Sequence, residues 1–256
     1  MLILYNMILD EIVFQKRQVV TALKVRINPK KKRKIKVRPF LKGKKFALIA
    51  EIKKASPSAG LLIKKLDPTA LAKAYAKAGA TAISVLTDEK FFQGKLADLK
   101  TARAATNLPV LRKDFVIDEA QIYEASQAGA DAILLIVRIL TEEQLIAFIK
   151  LAKSLKLAAL VEVHNEEEAR RAIKAGAEII GINNRDLDTL AVDVKTTLRI
   201  LDNVPELKDK IVISESGINS NEEVRALKAC GVRGILVGES LLRAPDPAAK
   251  IKELLL

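Results

Sequence analysis

Four times along the chain a helix-like stretch ends in a small residue and glycine, then runs straight into an unbroken apolar segment: KAGATAISVL, QAGADAILLI, KAGAEIIGIN and KACGVRGILVG. The glycines, Gly79, Gly129, Gly176 and Gly231, recur at roughly even intervals. Each suits the left-handed position just past a helix end, where a Cβ is disfavoured. The apolar run behind each reads as a strand buried on both faces, as a parallel sheet requires. Each interval holds one more helix and one more strand, the strands being PVLRKD, AALVEV and IVISES, and ALIAEIK precedes them all. Eight strands alternating with helices predict an α/β fold, a (β/α)8 TIM barrel. An open doubly wound sheet is the alternative, but it usually has fewer strands and needs no such even repeat.

Helix starts are readable between the strands. Asp67-Pro68-Thr69 places proline in a first turn. Thr141-Glu142-Glu143 and Asn165-Glu166-Glu167-Glu168 place a capping side chain and then acids at the positive end of a helix dipole. Residues 8–23 read as an additional N-terminal amphipathic helix ahead of the first strand. The expected organisation is one domain over 1–256, with the opening helix and a basic connector over 1–45 and the barrel proper over 46–256.

Composition changes this picture little. Half of the 256 residues are hydrophobic, which excludes a disordered chain. The single cysteine, Cys230, excludes an intramolecular disulfide and reads as a small apolar filler near a helix end. The opening MLILYNMILDEIVF is broken by acids and Asn too early for a secretory or membrane segment, so a cytoplasmic protein is expected. The net charge of +13 is local: no acid lies between Glu11 and Glu51, while fourteen Lys and Arg fall between positions 16 and 45. A charge run usually faces water, so a solvated connector is expected. The run has no interleaved aromatics, which argues against nucleic acid.

In a barrel, the chemistry gathers at the strand C-termini. The strand ends here are charged: Glu51 and Lys53, two apart and hence on one side, then Arg112-Lys113-Asp114, Glu162, Asn183-Asn184-Arg185 and Glu215. Buried charges must be paired, and acids facing amines at a barrel mouth suit general acid/base catalysis. A catalytically silent salt-bridge cluster is the bland alternative. Ser216-Gly217 and Gly238-Glu239, after the last two strands, resemble a phosphate cradle with a short helix starting near Glu239. His164, the only histidine, reads as structural, turned to the opposite side from Glu162 or beginning the loop. No His/Cys cluster, dinucleotide fingerprint or P-loop is present, so neither metal nor cofactor is expected. These readings converge on a barrel enzyme using acid/base chemistry on a small phosphorylated substrate.

The strings IAEIKKASPSAG (49–60), SVLTDEKFFQG (84–94), LPVLRKDF (108–115), LVEVH (160–164), GINNRDL (181–187), SESGI (214–218) and LVGESLLRAPDP (236–247) closely resemble the indole-3-glycerol-phosphate synthase family. A weaker likeness reaches ILDEIVFQKR. The resemblance implies ring closure of 1-(2-carboxyphenylamino)-1-deoxyribulose 5-phosphate with loss of CO2 and water. It implies Lys113 as general acid, Lys53 at the anthranilate carboxylate with a share of acid duty, and Glu162 as base in dehydration. Glu51 and Asn183 would hold sugar hydroxyls and the lysines, and Glu215 would position the substrate. Ser56, Ser216, Gly217, Gly238 and Glu239 would hold phosphate, Phe115 and Leu134 would wall the aromatic ring, and Arg185 would tie the mouth network together. A monomer is expected, with possible association with other tryptophan-pathway enzymes. The neighbouring phosphoribosylanthranilate isomerase would require a Cys and Asp pair at early and middle strands, and Cys230 sits on a late helix instead.

The absence of Trp, the few Met and Cys, and the abundance of Ala, Leu, Ile, Lys and Glu fit a thermostable, or an engineered or reconstructed, sequence. The expected outcome of a thermal scan is a midpoint above about 60 °C, beyond most mesophile domains. A midpoint well below that rejects the reading.

Overall fold

Strand after strand in this chain is buried on both faces, so each needs strand neighbours on its two edges and cover on its outer side. The computed structural model describes residues 3–41, 43 and 45–256, with side chains described from residue 8 onward. Lys42 and Lys44 of the basic segment lie outside the described residues. The barrel strands are β1 (Ala47–Ile52), β2 (Ala82–Leu86), β3 (Val110–Lys113), β4 (Ala132–Ile136), β5 (Ala158–Val163), β6 (Ile179–Asn183), β7 (Ile211–Glu215) and β8 (Gly234–Val237). All pair in parallel with their sequence neighbours, and β8 closes on β1 through Ala47↔Gly234 to Ala50↔Val237. A two-stranded hairpin, Ala55–Ser56 with Gly60–Leu61, adds to the loop after β1.

The helices are α1 (Ile3–Arg26), α2 (Pro68–Ala78), α3 (Leu96–Ala105), α4 (Glu119–Ala128), α5 (Glu142–Ser154), α6 (Glu166–Lys174), α7 (Lys195–Asn203), α8 (Asn221–Ala229), α9 (Glu239–Arg243) and α10 (Pro247–Leu255). The expected starts are those observed: Asp67 accepts from the Ala70 N–H at 3.0 Å, Thr141 and Gln144 form a capping box, and Asn165 accepts from the Glu168 N–H. Gly79, Gly129, Gly176 and Gly231 all have positive φ, between 87° and 106°, as the helix–turn–strand repeat requires. The opening helix is longer than its apolar pattern indicated, 3–26 rather than 8–23.

Strand alternation divides the core in two. Odd positions of β1 face the axis and even ones face the helices: Ala47 and Ile49 join Leu111, Ala132, Leu134, Leu160, Ile179, Ile213 and Leu236 inside, while Leu48, Ala50 and Ile52 join the layer under the helices. Phe40 and Leu41, just before β1, belong to the inner cluster and close the end where the strands begin. Each large side chain so buried contributes roughly 1.5–3 kcal/mol.

The basic connector is not simply solvated, as its charge pattern led one to expect. Arg33 and Arg38 dock on the barrel beside Asp131, which is fully buried just ahead of β4. Asp131 Oδ1 takes Arg33 Nη2 at 2.9 Å and the Arg38 N–H at 2.8 Å, and Oδ2 takes the Val110 N–H at 3.0 Å and Arg103 Nε at 3.1 Å. A repeated charge can be a local anchor when one buried acid meets several of its members, and no local pattern announces that acid. Cys230 also departs from expectation: it is exposed at the C-terminal end of α8, not an apolar filler.

Breaking one side of a buried ion cluster costs about 3–5 kcal/mol, because the remaining charges stay buried without compensation. Asp131→Ala is therefore expected to lower the denaturation free energy by about that amount, read from urea midpoints, while an exposed-charge change such as Lys30→Ala leaves the midpoint within error.

Candidate active site

The side of each strand that faces the axis changes chemistry along its length. Apolar in the lower layers, it becomes polar or charged at the C-terminal ends: Glu51 on β1, Lys113 on β3, Glu162 on β5, Asn183 on β6 and Glu215 on β7. Together with the loops above they line a cavity of about 570 Å³. All fourteen sequence-predicted site residues border it: Glu51, Lys53, Ser56, Lys113, Phe115, Leu134, Glu162, Asn183, Arg185, Glu215, Ser216, Gly217, Gly238 and Glu239.

Lys113 is the hub. Its Nζ lies 2.6 Å from Glu162 Oε2 and 3.1 Å from Glu215 Oε2, and Asn183 Nδ2 donates to Glu162 Oε1 at 3.2 Å. Lys53 forms a separate pair, Nζ to Glu51 Oε1 at 2.7 Å. Room for the acids comes from glycine. A Cβ on Gly181 would overlap Glu215 Oε1, and one on Gly238 would press on Glu51 Oε1.

Burial disfavours the charged form of each of these groups. For Lys113 that effect is outweighed by Glu162, Glu215 and Glu51, and the ammonium is held charged far above its ordinary range. For Glu162 burial is likewise overturned, by Lys113 and by His164, so the carboxyl stays ionised. Glu215 shares the same ammonium without a second cation. Burial, with repulsion from Glu162 and Glu51, pushes it up to about 7. Its Oε1 is buried without a hydrogen-bond partner, as befits an acid that is protonated part of the time.

The wall beside Lys113 is aromatic. The Phe92 and Phe115 rings are tilted with centroids 6.0 Å apart, and Leu134 lies in the floor at 2% exposure. Ser216 (φ 68°) and Gly217 (φ 81°) form consecutive left-handed residues after β7 and border the same cavity. Gly238 caps the short helix α9, whose first residue is Glu239. The Glu239 carboxylate is taken by Arg243 at 2.8 Å and faces Arg185 at 3.6 Å. Arg185 also donates to Leu190 O at 2.9 Å, so its side chain braces the loop after β6, while its backbone N–H reaches the Lys113 network by donating to Asn183 Oδ1 at 3.0 Å. Ser56 accepts from the Ala59 N–H at 3.1 Å.

Several site residues escaped the sequence reading. Ile8, Leu9 and Ile12 of α1, with Leu187, Leu190 and Val192 of the loop after β6, complete the cavity. The apolar face of α1 was legible; which of its residues reach the cavity was not. Lys16, counted in the basic segment, is 4% exposed, with Nζ at 2.8 Å from Asp88 and 2.7 Å from Asp114. Burial of that ammonium is more than offset by the two carboxylates. Asp114 also takes Arg112 at 3.1 Å and the Thr87 hydroxyl at 2.6 Å; against its burial, Arg112 and Lys16 hold its carboxyl down at about 2. One buried cation thus fastens α1 to the loop after β2 and to the residue next to Lys113. His164 begins the loop after β5, the second of the two readings its position allowed, and its Nε2 comes to 3.3 Å from Glu162 Oε1.

The family model for indole-3-glycerol phosphate synthase matches residues 9–254. The chain is 50% identical over 221 residues to the indole-3-glycerol phosphate synthase of Carboxydothermus hydrogenoformans, covering 86% of this chain and 82% of that protein. It is 44% identical over 251 residues to the one of Petrotoga mobilis, covering 97% and 96%, and 51% identical over 208 residues to that of Aquifex aeolicus, covering 81% and 80%. Among solved structures, a thiamine phosphate pyrophosphorylase from Pyrococcus furiosus superposes with a TM-score of 0.61 over 82% of this chain and 94% of that one. At 20% identity that likeness concerns the barrel alone.

Replacing Lys16 by Met leaves Asp88 and Asp114 buried and facing each other. The expected result at pH 7 is a lower denaturation midpoint, with faster amide exchange in α1 than in the barrel strands. A depressed carboxyl stabilises above its ordinary value and loses that contribution as pH falls through its folded one. The deficit of the variant should therefore be full above about pH 4, the ordinary range of Asp, and close as pH falls toward 2. Urea titrations at pH 7, 4 and 3 measure it, and a deficit independent of pH contradicts the assignment.

Proposed function

This chain belongs to the indole-3-glycerol phosphate synthase family and is a carboxy-lyase of tryptophan biosynthesis; from that premise we propose how its residues divide the work. The reaction converts 1-(2-carboxyphenylamino)-1-deoxyribulose 5-phosphate to indole-3-glycerol phosphate with loss of CO2 and water. The reading rests above all on one observation: Lys113 held between the buried Glu162 and Glu215 side chains, beside an aromatic wall, in the cavity.

Lys113 is the general acid of ring closure. As the aromatic carbon attacks the ketone, negative charge develops on the carbonyl oxygen, and an ammonium aimed at it stabilises that charge and supplies the proton. Lys53, loosely buried and paired only with Glu51, takes the anthranilate carboxylate and shares acid duty when the hydroxyl departs. Glu51 and Asn183 hold the sugar hydroxyls and the lysines, and Glu215 positions the substrate. Phe115 and Leu134 flank the aromatic ring.

Glu162 is the base that removes the anilino proton during dehydration. In the resting site it is a weak base, since Lys113 and His164 hold it ionised. Once Lys113 has passed its proton to the ketone, the strongest of those stabilising charges is gone and Glu162 gains basicity at the step that needs it. One lysine thereby sets the order of the two half-reactions.

The phosphate sits between the two Gly turns, on Ser56, Ser216, Gly217, Gly238 and the Glu239 N–H. Arg185 and Arg243 neutralise the Glu239 carboxylate, which leaves the start of α9 free for a dianion. The basic connector serves the barrel and not nucleic acid, since the Arg33 guanidinium is committed to Asp131 and that of Arg38 to the Arg103 and Leu108 carbonyls. Among the described residues no helix is long and apolar enough to cross a membrane. We place the enzyme in the cytoplasm as a monomer, with association to other enzymes of the same pathway as its one expected protein contact.

Product fluorescence gives the test. Lys113→Ala is expected to lower kcat by about 10²–10⁴-fold, the range for a lost general acid, and Glu162→Gln to lower kcat with little change in KM. Lys53→Ala should raise KM more than it lowers kcat. Turnover that survives Lys113→Ala moves the acid role to Lys53.

A further inference from the structure

Glu162 touches a second cation that the reaction does not use directly. His164 follows β5 by one residue and lies two positions on from Glu162, so the strand's alternation turns both side chains the same way. The imidazole is nearly buried and does not border the cavity. Nε2 lies 3.3 Å from Glu162 Oε1, and Nδ1 lies 3.1 Å from Glu168 Oε2. The His164 N–H donates to that same Glu168 oxygen at 2.8 Å. Glu168 cannot turn away: Asn165 Nδ2 donates to its other oxygen at 3.2 Å, and its own N–H bonds Asn165 Oδ1 at 2.9 Å. Nε2 makes no aligned hydrogen bond, so what it delivers to Glu162 is charge and a fixed wall.

We propose that His164 is a positioning residue for the reaction, an imidazolium clamped between Glu162 and Glu168 that holds the Glu162 carboxylate from the side away from the substrate. Both ring nitrogens face carboxyl groups, an arrangement that favours a proton on each. The charges around the ring agree. Glu162 on β5 and Glu168 on α6 flank it; Arg138, after β4, acts on Glu168 from outside; beyond Glu162 stand Lys113 on β3 and Glu215 on β7. Burial opposes the charge, and the two glutamates outweigh it, so the ring is held protonated up to about 9. The consequence for chemistry is steadiness. When Lys113 gives up its proton, Glu162 keeps one countercharge and one neighbour that fixes its orientation, the same logic by which a third group orients a catalytic base. The role rests on Glu162 being the base.

Because the chain has one histidine, its ring nitrogens give unambiguous ¹⁵N signals. The expected titration has a midpoint near 9, falling by a unit or more in Glu168→Gln. In the same series His164→Gln should lower kcat about tenfold, the lower end for partners that orient a functional group, with KM within about twofold. The wild type is expected to lose kcat on the alkaline side around pH 9 as the ring deprotonates, and the variant is expected to lack that fall. An imidazole titrating near its ordinary value of about 6.5 overturns the clamp. So does a folded His164→Gln with unchanged kcat and pH profile, whatever its loss of stability. Should that variant not fold, Glu168→Gln and the wild-type titration decide alone. Full activity in Glu162→Gln overturns the base assignment, and the role of His164 with it, even where the titration stands.

Discussion

Eight parallel strands closed into a ring direct every second side chain at one axis, and this single geometric constraint organises the protein. The inner positions have no solvent except at the mouth, so they must be apolar below and either paired or hydrogen-bonded above. Ile49, Leu111, Leu160 and Ile213 occupy the lower layers. Glu51, Lys113, Glu162, Asn183 and Glu215 occupy the upper one. The site is the place where the inner face of the barrel reaches water.

Concentrating charge there has structural consequences. Three glutamates around two lysines come close to neutrality, but their individual protonation is set by who stands next to whom. Glu162 has two cations beside it and Glu215 shares one, so burial wins at Glu215 and loses at Glu162. Gly181 and Gly238 belong to the same arrangement, because a side chain at either would displace the carboxylate beside it. A barrel that buries this many charges needs rigid surroundings, and it obtains them from further buried ions. Lys16 fastens the opening helix to the Asp114 side of β3. Asp131 gathers three arginines at the opposite end. The segment that carries the net positive charge of the chain is thus divided between the two ends of the barrel.

Fold and chemistry separate along the strands. The lower inner layers and the layer under the helices carry stability, and the upper inner layer with the loops carries function, as is general for this architecture. α1 crosses that division. Its apolar residues Ile8, Leu9 and Ile12 line the cavity while Lys16 anchors it, which makes the opening helix part of the substrate's enclosure.

The barrel could be read from the chain because its signals are local: a left-handed glycine after each of four helices, capping residues at helix starts, and strands that open on apolar runs. The residues of the candidate site were legible for the same reason, since strand ends announce themselves by a change from apolar to ionisable. What stayed hidden were relations between residues far apart in sequence. Nothing near Lys16 distinguishes it from the thirteen other cations of its segment, and only the fold brings Asp88 and Asp114 to it. Arg33 and Arg38 looked solvated until Asp131, almost a hundred positions away, was set beside them. The place of His164 stayed open between strand and loop, because where its ring turns depends on how the strand ends, and only the fold sets it beside Glu162. Local sequence determines where helices and strands begin and what each face can tolerate. Which charges meet, and hence which of them hold a proton, follows from Coulomb interactions across the closed barrel, and those distances exist only once the chain has folded.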